Sequence, residues 1–180
     1  MRIPGELIAL ATFPGVAIHE MAHQLFCRLF RVAIFDVCYF QCENPVGYVR
    51  HEVPRKTCHH AFIALGPFLV NSLLGAVIGF PAALAVTEFG DLAPGCWLDY
   101  LLVWLGVSIA MHAFPSLADA ASIWDATQAS RVSCIRRLMW KPLASFAYAM
   151  AFIGFNPWFR LAYGAALVRL APGLLVRAFA

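Results

Sequence analysis

The sequence predicts an all-α polytopic membrane protein with about four transmembrane helices, three of them forming a core, and a small cytoplasmic β-hairpin between the first and second spans. Two observations support this prediction. Of the 180 residues, 62% are hydrophobic and only 13% are charged, whereas soluble domains have about 45–50% apolar and about 25% charged residues. Several apolar runs also reach the length of about 20 residues that a helix needs to cross a bilayer.

Three runs are long enough to be transmembrane spans, and they cover residues 7–30, 61–86 and 97–117. The segments between them differ in charge. The first linker and the segment after the third span are basic, whereas the second linker carries Glu88 and Asp91 and no lysine or arginine. By the positive-inside rule we expect the N-terminus to lie outside and the basic segments to lie in the cytoplasm.

The first linker contains two short segments, residues 32–41 and 48–53, that are rich in β-branched and aromatic residues and flank the turn-forming sequence ENPVG. This pattern predicts a β-hairpin. Further along, an apolar stretch over residues 142–155 ends at Asn156-Pro157. The tail after it crosses the membrane, lies in its interface, or does both by kinking at Pro172. We expect one membrane-embedded domain over residues 1–180, with a core at 5–122 and C-terminal helices at 139–180.

The composition argues against several classes of protein. The net charge of +3 is small and is distributed by loop, so we expect no nucleic-acid partner. The six cysteines lack the paired spacing of a zinc finger and predict no disulfide framework. A cleaved signal peptide over residues 1–23 is an alternative for the first span, but its apolar region would not contain His-Glu-x-x-His.

The first span contains the sequence HEMAH, in which His19, Glu20 and His23 interrupt an apolar run. Residues four apart lie on one face of a helix, so the two histidines can bind one zinc ion, with Glu20 placed to act on a water molecule there. The alternative is a pair of histidines satisfied by hydrogen bonds near a helix end. Three ionisable side chains within a membrane span are costly, which favours the functional interpretation.

A catalytic zinc site requires a third protein ligand and leaves its fourth position to water. Asp119 is the leading candidate, because the first and third spans both run inward and bring it to a depth similar to that of the histidines. His112 would lie two turns shallower, where lining a polar cavity is the simpler role. The candidates that remain open besides Asp119 are His112, Asp125, His51 and the pair His59-His60.

The second span contains the sequence GPFLVN, followed by Gly75 and Gly79. Small residues at four-residue spacing allow helices to approach closely, so the two glycines are predicted to be packing positions. Asn71 places a side-chain amide inside the membrane, at about the depth of the predicted metal. It either bonds to a neighbouring helix or donates to a substrate carbonyl.

HEMAH in the first span, GPFLVN in the second and an aspartate after a proline near the end of the third resemble the site-2 protease family of intramembrane zinc metalloproteases, in particular its small, compact members. The resemblance covers roughly residues 10–122. It implies that His19, His23 and Asp119 bind one zinc ion, that Glu20 is the catalytic base and that Asn71 helps to hold substrate. The family usually has Leu-Asp-Gly at the third ligand, whereas here alanines flank the aspartate.

The resemblance also implies a zinc metalloendopeptidase that hydrolyses peptide bonds in or near the membrane. A zinc ion would activate water for attack on the peptide carbonyl, and Glu20 would take a proton and pass it to the leaving amine. A helical substrate hides its carbonyls and must become extended. The predicted hairpin either pairs its free edge with that segment or is a plain cytoplasmic loop.

The expected partners are therefore a membrane-protein or peptide substrate and the lipid bilayer. The expected location is a prokaryotic cell membrane, with the active site towards the cytoplasm. The alternative function is a non-proteolytic zinc-binding membrane scaffold or a catalytically dead relative, although structural zinc sites usually have four protein ligands. A transporter would show two matching halves with broken helices, which this sequence lacks.

Overall fold

The computed structural model describes residues 5–89, 97–129 and 134–179 of the chain, and these are mostly α-helical with one small antiparallel sheet. Helix α3 contacts α2 and every helix from α4 to α7, so it is the centre of the assembly. The elements in chain order are α1 (Gly5–Ala11), α2 (Phe13–Leu29), β1 (Ile34–Cys38), β2 (Tyr48–His51), α3 (Thr57–Phe89), α4 (Trp97–Met111), α5 (Leu117–Gln128), α6 (Cys134–Gly154) and α7 (Pro157–Phe179).

The first apolar run, predicted as one span over residues 7–30, is divided into α1 and α2 at Thr12. Pro14 lies in the first turn of α2. Proline has no N–H to donate and its ring clashes with the carbonyl four residues earlier, so it starts a new helix and does not continue α1. The HEMAH residues therefore lie near the middle of α2, and Glu20 and His23 belong to its buried side.

The predicted β-hairpin is confirmed. Strands β1 and β2 pair antiparallel, with Val37 opposite Val49. The loop between the strands turns back towards α2, where the hydroxyl of Tyr39 donates to Oε1 of Gln24 at 2.7 Å. The hairpin is thus attached to the helix that carries HEMAH, and a sheet of only two strands leaves an unpaired edge on each strand.

Helix α3 carries apolar residues on every side, and the buried residues Pro67, Asn71, Gly75 and Gly79 form a continuous stripe along it at four-residue spacing. A Cβ atom placed on Gly75 would lie 2.7 Å from the Cβ of Ala110 on α4, which is closer than two carbon atoms can approach. One placed on Gly106 would lie 3.0 Å from the Cα of Gly79. The prediction that Gly75 and Gly79 are packing positions is confirmed.

The third predicted span, residues 97–117, is wrong in its C-terminal part. Helix α4 ends at Met111, and a separate helix, α5, begins at Leu117. Pro115 lies between them, and the residue before a proline is disfavoured in the helical conformation, so α4 does not continue through Phe114. Asp119 is therefore the third residue of α5, not the last turn of a span.

The C-terminal helices α6 and α7 are joined by a sharp bend. The segments Arg137–Gly154 and Pro157–Leu170 make an angle of 100°. Asn156 caps α7, because its Oδ1 accepts from the backbone N–H of Trp158 at 2.9 Å, and Pro157 has the fixed backbone torsion suited to a first helical residue. Helix α6 begins at Cys134, five residues before the predicted start at 139.

In the described part of the chain, the segment Thr57–Ala83 is long and apolar enough to cross a membrane by itself, and the bent pair α6–α7 adds a second span if it is counted as one. Helix α4 is apolar but has only 15 residues. Large apolar side chains are exposed on several helices, by 55–79% at Leu25, Leu73, Trp97, Leu138 and Phe152.

Candidate metal centre and adjoining cavity

The two histidines of HEMAH are oriented by backbone carbonyls of other segments. Nδ1 of His19 lies 2.6 Å from the carbonyl oxygen of His112, at the end of α4. Nδ1 of His23 lies 2.9 Å from the carbonyl oxygen of Ile63, on α3. A carbonyl only accepts hydrogen bonds, so in both rings the proton is on Nδ1 and the lone pair is on Nε2.

The two Nε2 atoms face each other at 3.1 Å. With both protons held at Nδ1, neutral rings present two lone pairs to one another, and neither can donate to the other. Such an arrangement is repulsive unless a positive charge lies between the nitrogens. The histidine pair can therefore share a cation, and a metal ion or a proton would each supply the positive charge.

The third member of the group is Asp119, which is held by the N-terminal turn of α5. Oδ2 of Asp119 accepts from the hydroxyl of Ser116 at 2.6 Å and from its backbone N–H at 2.8 Å. The backbone N–H of Asp119 donates in return to the Ser116 hydroxyl, which completes a capping box. The other carboxylate oxygen, Oδ1, lies 3.6 Å from Nε2 of His23 and faces the histidines.

The ligand atoms of His19, His23 and Asp119 lie within 4.8 Å of one another, so the group can hold a metal ion. In a tetrahedral site with metal–ligand bonds of about 2.0–2.1 Å, neighbouring ligand atoms are about 3.3 Å apart. Two of the three separations, 3.1 Å between the histidines and 3.6 Å from His23 to Asp119, lie on either side of this value, and the third is within 4.8 Å. Among the described residues, no second group of three such side chains is brought together.

We call His19, His23 and Asp119 the metal group. An open cavity of about 590 Å³ adjoins it. His19 and Glu20 line it from α2, His112 from the end of α4, and Arg160 from α7, while residues 44–47 of the hairpin loop form part of its wall. The loop packs directly on the carboxylate side chain, since a Cβ placed on Gly47 would lie 2.8 Å from Cγ of Glu20. Glu20 itself is only 8% exposed.

The other candidates for the third ligand do not belong to the group. His60 is held at 2.8 Å from the hydroxyl of Ser122, and Asp125 is exposed on α5. His112 lines the cavity, which is the role that its predicted depth favoured. Among the described residues, five candidates therefore stay outside the metal group: His51, His59, His60, His112 and Asp125.

Asn71 is fully buried in α3 and is not among the residues that line the cavity. Its Nδ2 lies 3.2 Å from the carbonyl oxygen of Gly15 on α2, 3.1 Å from that of Ile109 on α4 and 3.4 Å from that of His112. The structure thus contains the interhelical bonding that was one of its two predicted roles. The His112 carbonyl also accepts from His19. Asn71 therefore helps to fix the carbonyl that orients the His19 ring. Substrate binding by Asn71 stays a prediction.

Arg160 is a residue for which the sequence analysis predicted no role. It lies in the first turn of α7, where its Nε donates to the carbonyl of Met111 at 2.9 Å, and its side chain lines the cavity. The available signal was an arginine in an apolar stretch directly after a helix start, because ionisable residues in such stretches are costly and usually functional.

No family model matches this chain, and neither a curated protein nor a solved structure matches it. The resemblance to the site-2 protease family therefore depends on the sequence motifs alone. Any function has to be argued from the geometry of the metal group and the cavity beside it.

Proposed function

We propose that this protein is an intramembrane zinc metallopeptidase that hydrolyses peptide bonds in or near the membrane. The observation that carries the proposal is the facing pair of Nε2 atoms at 3.1 Å, with Asp119 completing the group and Glu20 lining the adjoining cavity. Two imidazoles and one carboxylate are a ligand set that catalytic zinc sites use, and they leave the fourth position open.

Composition and surface both support a polytopic membrane protein. Large apolar side chains are exposed on α2, α3, α4 and α6, whereas a soluble monomer rarely exposes large apolar patches. One side of α3 does not pack on the protein, and Leu69, Leu73 and Val77 on that side are 59–66% exposed. Lipid is the solvent in which such a helix is stable, because its exposed side chains then contact acyl chains.

In the proposed reaction His19, His23 and Asp119 hold the zinc ion. When bound there, a zinc ion would supply an activated water molecule and positive charge near the carbonyl oxygen of the scissile bond. The residues of the chain do the rest. Glu20 accepts the proton of the attacking water and passes it to the leaving amine. The carbonyls of His112 and Ile63 keep the histidine lone pairs directed at the site.

The substrate has to present an extended segment, because a helix keeps its carbonyls in internal hydrogen bonds. The hairpin supports a role in holding that segment, since its sheet has unpaired edges and its loop reaches Glu20. Pairing of the substrate with one of these edges would add a strand to the sheet and bring the scissile carbonyl towards the cavity.

Glu20→Gln is the variant that tests the proposal. Glutamine has nearly the same size but cannot accept the proton, so we expect the variant to keep one zinc ion per chain and to lose at least about 100-fold in peptidase rate. Zinc is measured by elemental analysis of the purified protein, and the rate is measured in lipid vesicles with fluorogenic peptides that have an apolar segment. Glu52→Gln makes the same chemical change at an exposed position outside the metal group, so it is the matched control and should keep both properties.

The outcomes separate the two functions that the sequence left open. Cleavage by the wild type but not by Glu20→Gln supports the peptidase. Equal cleavage by both proteins overturns the role of Glu20. Full zinc occupancy without cleavage by either protein favours the non-proteolytic zinc-binding scaffold, and the absence of zinc from both overturns the metal site.

A further inference from the structure

Arg160 is a cation without a charged partner on the wall of the cavity. It is the only arginine or lysine among the described residues that line this cavity. Within the described part of the chain, no carboxylate forms an ion pair with it, and only its Nε has a hydrogen-bond partner, the carbonyl of Met111. Its two terminal nitrogens are therefore free to bind a molecule that enters the cavity.

The surroundings of Arg160 make its guanidinium unfavourable in free energy when no anion is bound to it. Much of the neighbouring wall is apolar, and it includes Phe114, Leu117 and Phe155. A charge that is partly removed from water and left without a counter-charge loses hydration that nothing replaces. The hydrogen bond from Nε to the carbonyl of Met111 restrains the guanidinium, and within the described structure it uses neither of the two terminal nitrogens.

We propose that Arg160 binds a carboxylate of the substrate, so that the cavity selects peptides that carry a carboxylate near the scissile bond. This inference rests on the proposed peptidase function. A guanidinium matches a carboxylate because two parallel N–H groups can bind both of its oxygens. Peptides supply this group in two ways, as the C-terminal carboxylate or as the side chain of aspartate or glutamate.

Glu20 does not take the place of this carboxylate. Glu20 and Arg160 line the same cavity from different helices, yet no ion pair joins them in the described structure. Glu20 is packed under the hairpin loop at Gly47, whereas Arg160 is held at the end of α4 by Met111. The two groups are thus fixed at separate positions, so one can act on the scissile bond while the other anchors the peptide.

The test measures binding and not turnover. Full-length Glu20→Gln protein is purified in detergent without metal, and three N-acetylated apolar peptides of the same length are titrated into it by calorimetry. The first has a free C-terminal carboxylate, the second is the matched carboxamide, and the third is a carboxamide with glutamate in place of one apolar residue. We expect at least one carboxylate peptide to bind about 10- to 100-fold more tightly than the neutral peptide.

The same titrations are repeated with Arg160→Gln and Arg160→Lys added to Glu20→Gln. Glutamine should abolish the preference for the carboxylate, and lysine should keep part of it because it retains the charge but not the planar fork. Arg28→Gln, at an exposed position in the last turn of α2 and outside the cavity lining, is the matched control and should leave the preference unchanged. Thermal unfolding shows whether each variant is folded. If Arg160→Gln is not folded, the proposal is judged from the carboxylate preference of Arg160→Lys alone.

Each result has one meaning. Preference for the first or the third peptide assigns the C-terminal or the side-chain carboxylate, respectively. Equal binding of all three peptides overturns the proposal, and so does a preference that survives in Arg160→Gln. Failure of the wild type to cleave any peptide would overturn the peptidase but not this result, because the binding test uses neither zinc nor turnover.

Discussion

Helices α2 and α5 both contribute to the metal group, but they hold their ligands in different ways. On α2, His19 and His23 have the right spacing within one helix, yet each ring is oriented by a carbonyl of another segment. On α5, Asp119 is oriented within its own first turn by Ser116, yet its place beside the histidines depends on where α4 ends. The spacing of the two histidines is thus set within α2 and their orientation by other segments. For Asp119 the orientation is set within α5, and the position depends on other segments.

This difference shows which parts of the group are independent of each other. Because the histidine lone pairs are directed by tertiary contacts, the pair should remain formed when the carboxylate changes. Because Asp119 is fixed by a capping box, it should keep its conformation when the histidines change. Variants on the two helices can therefore be compared one at a time.

The largest effect is expected on α2. His23→Ala should lower zinc affinity by more than about 100-fold, since it removes a ligand and even the loss of a ligand's hydrogen-bond partner costs about 10- to 100-fold. Competition with a chelator of known affinity measures this. His51→Ala, on β2, is the matched control and should bind zinc like the wild type, because His51 lies outside the metal group. If His23→Ala binds zinc as tightly as the wild type, His23 is not a zinc ligand.

A smaller loss is expected on α5. Asp119→Asn keeps an oxygen that can accept from Ser116 but removes the negative charge facing His23, so zinc affinity should fall by about 10- to 100-fold. Asp125→Asn changes an exposed carboxylate on the same helix and should have no effect. If both variants bind zinc equally well, the third ligand is not on α5.

The orientation of Asp119 can be tested without touching a ligand. Ser116→Ala removes the hydroxyl that both donates to Oδ2 and accepts from the backbone. Zinc affinity should fall by about 10-fold, and the free energy of unfolding should fall by about 1 kcal/mol, the usual cost of a lost helix cap. Ser145→Ala, at an exposed position on α6, is the control. A loss of stability with unchanged zinc affinity would restrict Ser116 to capping.

The smallest effect is expected at Gly47, where a substitution should affect the proposed base Glu20 and not the metal group. Gly47→Ala places a methyl group 2.8 Å from Cγ of Glu20, so either the loop or the carboxylate must move. We expect the peptidase rate to fall by a few-fold, on the order of 1 kcal/mol in activation free energy, while zinc affinity stays unchanged. Parallel chelator and peptidase measurements on this one variant check the pair of results. A loss of zinc affinity would link the hairpin loop to the ligands.

Features that depend on neighbours in sequence were predicted well. The four-residue spacing of His19 and His23, the packing glycines of α3 and the hairpin around ENPVG all follow from local periodicity or turn chemistry, and the structure contains each of them. The end of α4 was predicted wrongly although its cause, Pro115, is also local. The apolar run continues past Pro115, and the prediction was based on this hydropathy. The end of the helix depends instead on the steric effect of the proline on the backbone before it.

By itself the sequence determined an apolar helical chain with one helical face that carries two histidines and a glutamate, because those properties depend on composition and on residues four apart. Only the tertiary structure decided that backbone carbonyls fix the histidine lone pairs, that Asp119 meets them from a separate helix, and that Arg160 enters the same cavity. These contacts join residues far apart in the chain. Which of them meet depends on how α3, α4 and α7 pack, and no local pattern encodes that choice.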